Sequence, residues 1–144
     1  MPSDAPDSLT VLYDADCGFC RWTLATLLVW DRDARLYPIT IQSAEGQELL
    51  RDIPPDLRLA SAHAVTPEGH VYSGGAAVEP VARLLPGGGP FAAASRALER
   101  PVDRGYRWVA GHRVGLSRFV PARAKARAEA RLERHRRRAR VRVP

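Results

Sequence analysis

The stretch Tyr13-Asp14-Ala15-Asp16-Cys17-Gly18-Phe19-Cys20 holds both cysteines of a 144-residue chain, three positions apart, with two carboxylates just ahead of them. Two thiols at that spacing can exchange with a disulfide, hold a soft metal or close a small loop. Loop closure is the weakest reading. A loop of about four residues stabilises by roughly 2 kcal/mol in the chain-entropy model, and strain lowers that. A structural zinc needs two further ligands, and His63, His70, His112 and His135 include no pair at zinc-finger spacing. His63 and His70 bracket an expected hairpin, which leaves a meeting with the cysteines open, and two thiolates alone suit Cu(I).

Exchange fits the placement best. Cys17, Cys20, Leu24, Leu27 and Leu28 fall at helical spacing and form one apolar stripe. Cβ atoms at i and i+3 of a helix lie about 5–6 Å apart, close enough for a disulfide after modest adjustment. Cys17, at the expected first helical position, is exposed and can attack a substrate disulfide. Cys20, one turn in, is shielded and can resolve the mixed disulfide.

The carboxylates complicate this. A helix N-terminus acts as about half a positive charge. At about 5 Å and an effective dielectric near 20 it favours a thiolate by roughly 1.7 kcal/mol, and one carboxylate at that distance opposes it about twice as strongly. Asp14 and Asp16 therefore need other work. Asp16 stands where an N-cap belongs and would turn its carboxylate onto the amides of Gly18 or Phe19. Asp14 closes the preceding strand and, partly buried under the helix start, is the candidate for relaying a proton to or from Cys20. Its plainer role is a turn residue. Arg21 is the nearest cation, about 100° round the helix from Cys20. Phe19 and Trp22 could form an apolar collar for a docking partner.

The elements that must position this site follow from the pattern. Leu9–Tyr13 reads as a strand, the cysteine segment as a helix ended by Asp31-Arg32-Asp33, and Leu36–Ile41 as a second strand. Ser43–Asp52 is an expected short helix, broken by Pro54-Pro55. Ala62–Val65 and Val71–Tyr72 flank Thr66-Pro67-Glu68-Gly69, a type I turn pattern, and predict an antiparallel hairpin. Gly75–Leu85 is helical, Pro86-Gly87-Gly88-Gly89-Pro90 breaks it, and helices are expected over Phe91–Glu99 and Val102–Phe119. The first crossover implies a parallel pair and the hairpin an antiparallel edge. This is an α/β, thioredoxin-like layout: a mixed four-stranded sheet flanked by helices, with appended C-terminal helices. Tyr106, Trp108 and Phe119 are the expected core anchors of the last of these.

Composition sets the frame. The net charge is +6, yet residues 122–144 carry +8, with ten Arg or Lys against two Glu, and residues 1–121 carry −2. The expected organisation is a disordered lead-in over 1–8, a domain over 9–120 whose helical extension starts near 88, and an Arg-rich tail over 121–144, partly helical or disordered. A solvated tail is favoured over a nucleic-acid contact through 123–142, because no aromatics interleave the arginines. The longest apolar-rich run, Leu24–Trp30, is far short of the roughly 20 residues a membrane span needs. The polar N-terminus is no secretory signal, and a cytoplasmic protein is expected.

With these residues in view, "VLYDADCGFCRW" resembles the signature of the DCC family of thiol-disulfide oxidoreductases, named for an Asp and two Cys, here Asp14, Cys17 and Cys20. The resemblance runs from about Leu9 to about Phe119 and takes in "YSGGAAVEPVARLLPG" and "YRWVAGHR". It implies a thioredoxin-like fold and protein-disulfide reductase-type activity. Two departures stand out. Ala15 occupies a position where many relatives have Gly. Pro54 and Pro55 come too early, and Pro67 sits in the hairpin turn, so no proline is placed to precede the third strand as in thioredoxin-like proteins.

The expected activity is disulfide exchange with Cys17 attacking, Cys20 resolving and Asp14 relaying protons. No cofactor is required, since the dithiol carries two electrons. The expected partners are a disulfide-bearing protein or small thiol and a recycling reductant. The alternative is a non-enzymatic metal-handling or adaptor module whose basic tail touches nucleic acid.

Overall fold

A computed structural model describes residues 6–142, and the side chains of residues up to 138. Of the expected lead-in over 1–8, residues 1–5 lie outside the described part. Strand β1 (Leu9–Tyr13) leads into helix α1 (Gly18–Trp30) and strand β2 (Leu36–Thr40), which pairs parallel to β1 with Leu9 opposite Leu36 and Tyr13 opposite Thr40. The crossover turn is held by Asp31, whose buried carboxylate accepts from the backbone N–H groups of Arg35 and Leu36 at 3.0 and 2.8 Å. Pro38 is tolerated because β2 is an edge strand.

Helix α2 (Ala44–Leu49) and a further short helix α3 (Pro55–Arg58), which starts at the second of the two prolines expected only to break the chain, lead to strand β3 (His63–Val65). β3 runs antiparallel to β1 and forms a hairpin with β4 (Val71–Ser73) through the Thr66–Gly69 turn, closed by a 2.9 Å hydrogen bond. The sheet order is β2-β1-β3-β4, so β1 is interior. Its alternate residues feed two clusters. Leu9, Val11 and Tyr13 join Leu24, Ala25 and Leu28 of α1 on one face, and Leu12 joins Ile41, Leu50 and Val65 on the other. This mixed sheet with helices against it is the expected thioredoxin-like arrangement.

A 3-10 turn (Gly74–Ala77) then opens helix α4 (Val78–Leu84), followed by α5 (Gly89–Ala97), α6 (Glu99–Ser117) and α7 (Ala122–Arg142). Gly75 decides how close α6 comes, since a Cβ there would lie 2.8 Å from the Asp103 Cα. Two expectations need correction here. Trp108 and Phe119 are not core anchors: they are 58% and 84% exposed, Trp108 because Val102, Tyr106, Ala110 and Arg113 are on the side of α6 that faces the body, and Phe119 because it falls in the turn after α6. Trp108 instead stacks on His112 with ring centroids 4.5 Å apart.

The Arg-rich tail expected over 121–144, partly helical or disordered and solvated, is helical over Ala122–Arg142 and contributes to the core. Helix α7 packs along α1 and β2 and sends Ala128 and Leu132 into the main core cluster, both nearly sealed from solvent. Arg136 donates to the Tyr13 hydroxyl and lies 5.7 Å from the centre of its ring. An Arg/Ala-rich sequence hides this dock, because two isolated apolar residues per few turns make a weak stripe that suffices only where the body offers an apolar surface, here one that includes Leu24, Leu28 and Leu36.

Candidate active site

The site is built where β1 ends and α1 begins. Asp14 turns the chain: its Oδ1 accepts from the Asp16 N–H at 2.9 Å and from Gln42 Nε2 at 2.7 Å, and its backbone carbonyl accepts from the Cys17 N–H at 3.3 Å. Gln42 reciprocates by accepting from the Ala15 N–H. That turn consumes the residue expected to cap the helix. Asp16 is exposed and does not cap α1; the cap is Cys17, in extended conformation, whose Sγ accepts from the Cys20 N–H at 3.2 Å. The cause is the Asp14–Cys17 turn, which delays the helix by one position and hands the amide to a sulfur.

Both cysteines are free thiols of intermediate exposure. Their surroundings differ. The Cys20 thiol is pushed up to about 12, first by burial, then by the hydrogen bond and charge of Cys17, with Arg113 pulling the other way. Arg113 is the cation of the site. Its Nη2 lies 3.6 Å from Asp14 Oδ2 and donates to the Leu59 carbonyl at 2.9 Å. Arg21, the cation nearest in sequence, turns away to Glu129 at 3.8 Å.

Tyr106 stands beside Arg113. Its hydroxyl accepts from the Ala62 N–H at 2.8 Å, and burial pushes its ionisation up. Sequence reasoning singled out the segment "YRWVAGHR" without assigning Tyr106 or Arg113 to the dithiol. The signal was there: seven residues apart is two helical turns, so both project from one face. Gln42 carried no such signal, since only the parallel register of β2 brings its loop beside Asp14.

Phe19 lines an apolar cavity with Cys20, while Trp22, at the edge of exposure, packs tilted against Phe19 with ring centroids 6.0 Å apart. His63 is buried with both ring nitrogens engaged, at 2.8 Å to Ser73 Oγ and 2.8 Å to the Arg58 carbonyl. Among the described residues, no three His, Cys, Asp or Glu come together as a metal site.

A model of the DCC1-like thiol-disulfide oxidoreductase family matches residues 11–119. The chain belongs to that family. Membership supports a thiol-disulfide oxidoreductase role for the DCC1-like protein, with the Cys17/Cys20 pair as its CxxC, and disulfides or thiols as its substrates. The match covers β1 through α6 and stops short of α7, so the helix that completes the core lies outside it. Among curated proteins and among solved structures, none is significantly similar to this chain. No helix among the described residues is long and apolar enough to cross a membrane.

Proposed function

We propose that this DCC1-like protein is a protein-disulfide reductase in which Cys17 is the nucleophile and Cys20 the resolving thiol. The asymmetry of the two sulfurs carries this reading. Cys17 Sγ occupies the helix N-cap, outside the first turn, where the Cys20 N–H donates to it. Cys20 is held as a thiol by burial until the mixed disulfide forms. Cys17 attacks a substrate sulfur, the substrate S–S bond breaks, and the departing sulfur leaves as a thiol. Cys20 then loses its proton and attacks Cys17, releasing the second substrate thiol and closing the protein disulfide.

Arg113 stabilises Cys20 as it ionises in that second step. Asp14, on the same cavity wall, is the carboxylate available to take the Cys20 proton, and it also holds Arg113 in place. Phe19, backed by Trp22, supplies the apolar collar. A thiol reductant of a reducing compartment such as the cytoplasm would restore the dithiol.

Reduction of insulin by dithiothreitol should accelerate with this protein, collapse with Cys17→Ser, and accumulate a mixed disulfide with Cys20→Ser. Unchanged turbidity rates would overturn the reading. Asp14→Asn should slow resolution of the mixed disulfide more than its formation, which rapid-quench mass spectrometry resolves.

A further inference from the structure

A cavity of about 450 Å³ lies between α1, the sheet, α4, α5 and α6, and Cys20 forms part of its wall. Its body is lined by Leu27, Val78, Val81 and Leu85, and its rim by Phe91 and Val109. Of the other polar side chains on the wall, Thr23 donates to the Phe19 carbonyl, Trp30 to the Pro86 carbonyl, and His63 engages both nitrogens, while Ser61 flanks Gly74 together with Tyr106. Chemistry is therefore confined to one end, where Cys20, Asp14, Arg113 and Tyr106 meet. The Arg113 guanidinium there is balanced by Asp14 and donates to Leu59, so no free charge awaits a carboxylate. The volume is that of a small-molecule site rather than a polypeptide groove.

We infer that the cavity holds the apolar body of a small dithiol or its cyclic disulfide, with the ligand's sulfurs presented at the cysteine end. The inference rests on the redox reading above and adds the substrate class. In the reducing direction, one ligand thiolate attacks the Cys17 sulfur of the oxidised protein. The Cys17–Cys20 bond breaks and Cys20 leaves, taking up a proton. The ligand's second thiolate then attacks its own mixed disulfide, releasing Cys17 as a thiol and closing the ligand ring. The ligand loses two electrons and the protein disulfide gains them, and the reverse reaction uses the same site.

The discriminating comparison is between dihydrolipoamide and dithiothreitol, two ring-closing dithiols of which only the first has an apolar chain. The second-order rate constant for reducing the oxidised full-length protein, corrected for thiolate fraction, should be at least about tenfold larger for dihydrolipoamide. Gly105→Phe should bring the ratio down toward one. Gly105 lines the cavity, and a Cβ there meets no atom within 4 Å, so the ring enters open space. Val109→Trp, at the partly exposed rim, is the second variant should the first fail to fold. Equal rate constants, or a ratio that neither variant moves, would overturn the inference.

If neither dithiol reduces the protein and insulin is not reduced, the redox reading fails by itself. Calorimetry of lipoamide with the Cys17→Ser/Cys20→Ser protein then decides the cavity. Binding weakened at least fivefold by Gly105→Phe supports an apolar ligand site, and no binding overturns it.

Discussion

At Cys20, burial outweighs a nearby guanidinium. With the thiol pushed up to about 12, only about one part in ten thousand is thiolate at pH 8. Iodoacetamide at pH 8 should therefore alkylate Cys17 at least about tenfold faster than Cys20, read by peptide mass mapping; equal labelling would show that Cys20 is not shielded. Removing Arg113 takes away the one charge that opposes burial, so Arg113→Gln should raise Cys20 further and slow resolution by about tenfold, one pKa unit being about 1.36 kcal/mol. Formation of the mixed disulfide should change less, and the split between the two steps is the readout. The two cysteines were legible as residues, because type and spacing alone distinguish a CxxC, and so was Asp14 as the turn residue that closes β1. The cap was not. Asp16 has the better capping side chain, yet the Asp14 carboxylate claims the Asp16 amide first, and no residue-level preference ranks two local hydrogen bonds against each other.

The elements divide by how strongly their own patterns specify them. β1, α1 and the hairpin follow from periodicity and turn chemistry, and they appear where the sequence puts them to within a residue or two. α6 shows where such reasoning stops. Its aromatics suggested an anchor, but Tyr106 alone turns inward, and the close approach allowed at Gly75 selects that face. The hairpin carries its own pH switch through His63. A carbonyl can only accept, so Nε2 carries the proton toward Arg58, and in the neutral ring Nδ1 accepts from the Ser73 hydroxyl. Burial accordingly lowers its ionisation below the ordinary 6.5. As pH falls below about 6.5 the unfolded chain binds a proton that the folded one refuses, so stability present above that pH is lost in acid. His63→Gln, which keeps a donor but cannot titrate, should flatten the fall in Tm between pH 7 and pH 5; an unchanged slope would assign the acid sensitivity elsewhere.

For the whole molecule, α7 is the surprise. Leu132 is nearly sealed in a cluster that includes Leu24 and Leu28 of the cysteine helix. Leu132→Ala should cost about 2–5 kcal/mol, measured by urea unfolding. Removing residues 122–144 should do more, exposing one side of α1 and abolishing the cooperative thermal transition. A truncated protein with wild-type Tm would show the helix to be dispensable. The same dock reaches the active site: a Cβ at Gly18, next to Cys17, would meet Lys125 Cε at 3.2 Å, and Lys125 is the sole lysine of the chain. By itself the sequence determined the CxxC pair and its place between a strand and a helix. Two cysteines three apart at a helix start, an Asp behind them, and alternating strand and helix periods are local facts, set by spacing and side-chain type. Only the tertiary structure decided which groups surround those thiols. Arg113, Tyr106 and Lys125 come from helices 86 or more residues downstream, and the cavity beside Cys20 exists only once α4, α5 and α6 close over the sheet. Such contacts depend on packing across long sequence separations, where a glycine's missing Cβ or a single buried leucine outweighs the local pattern.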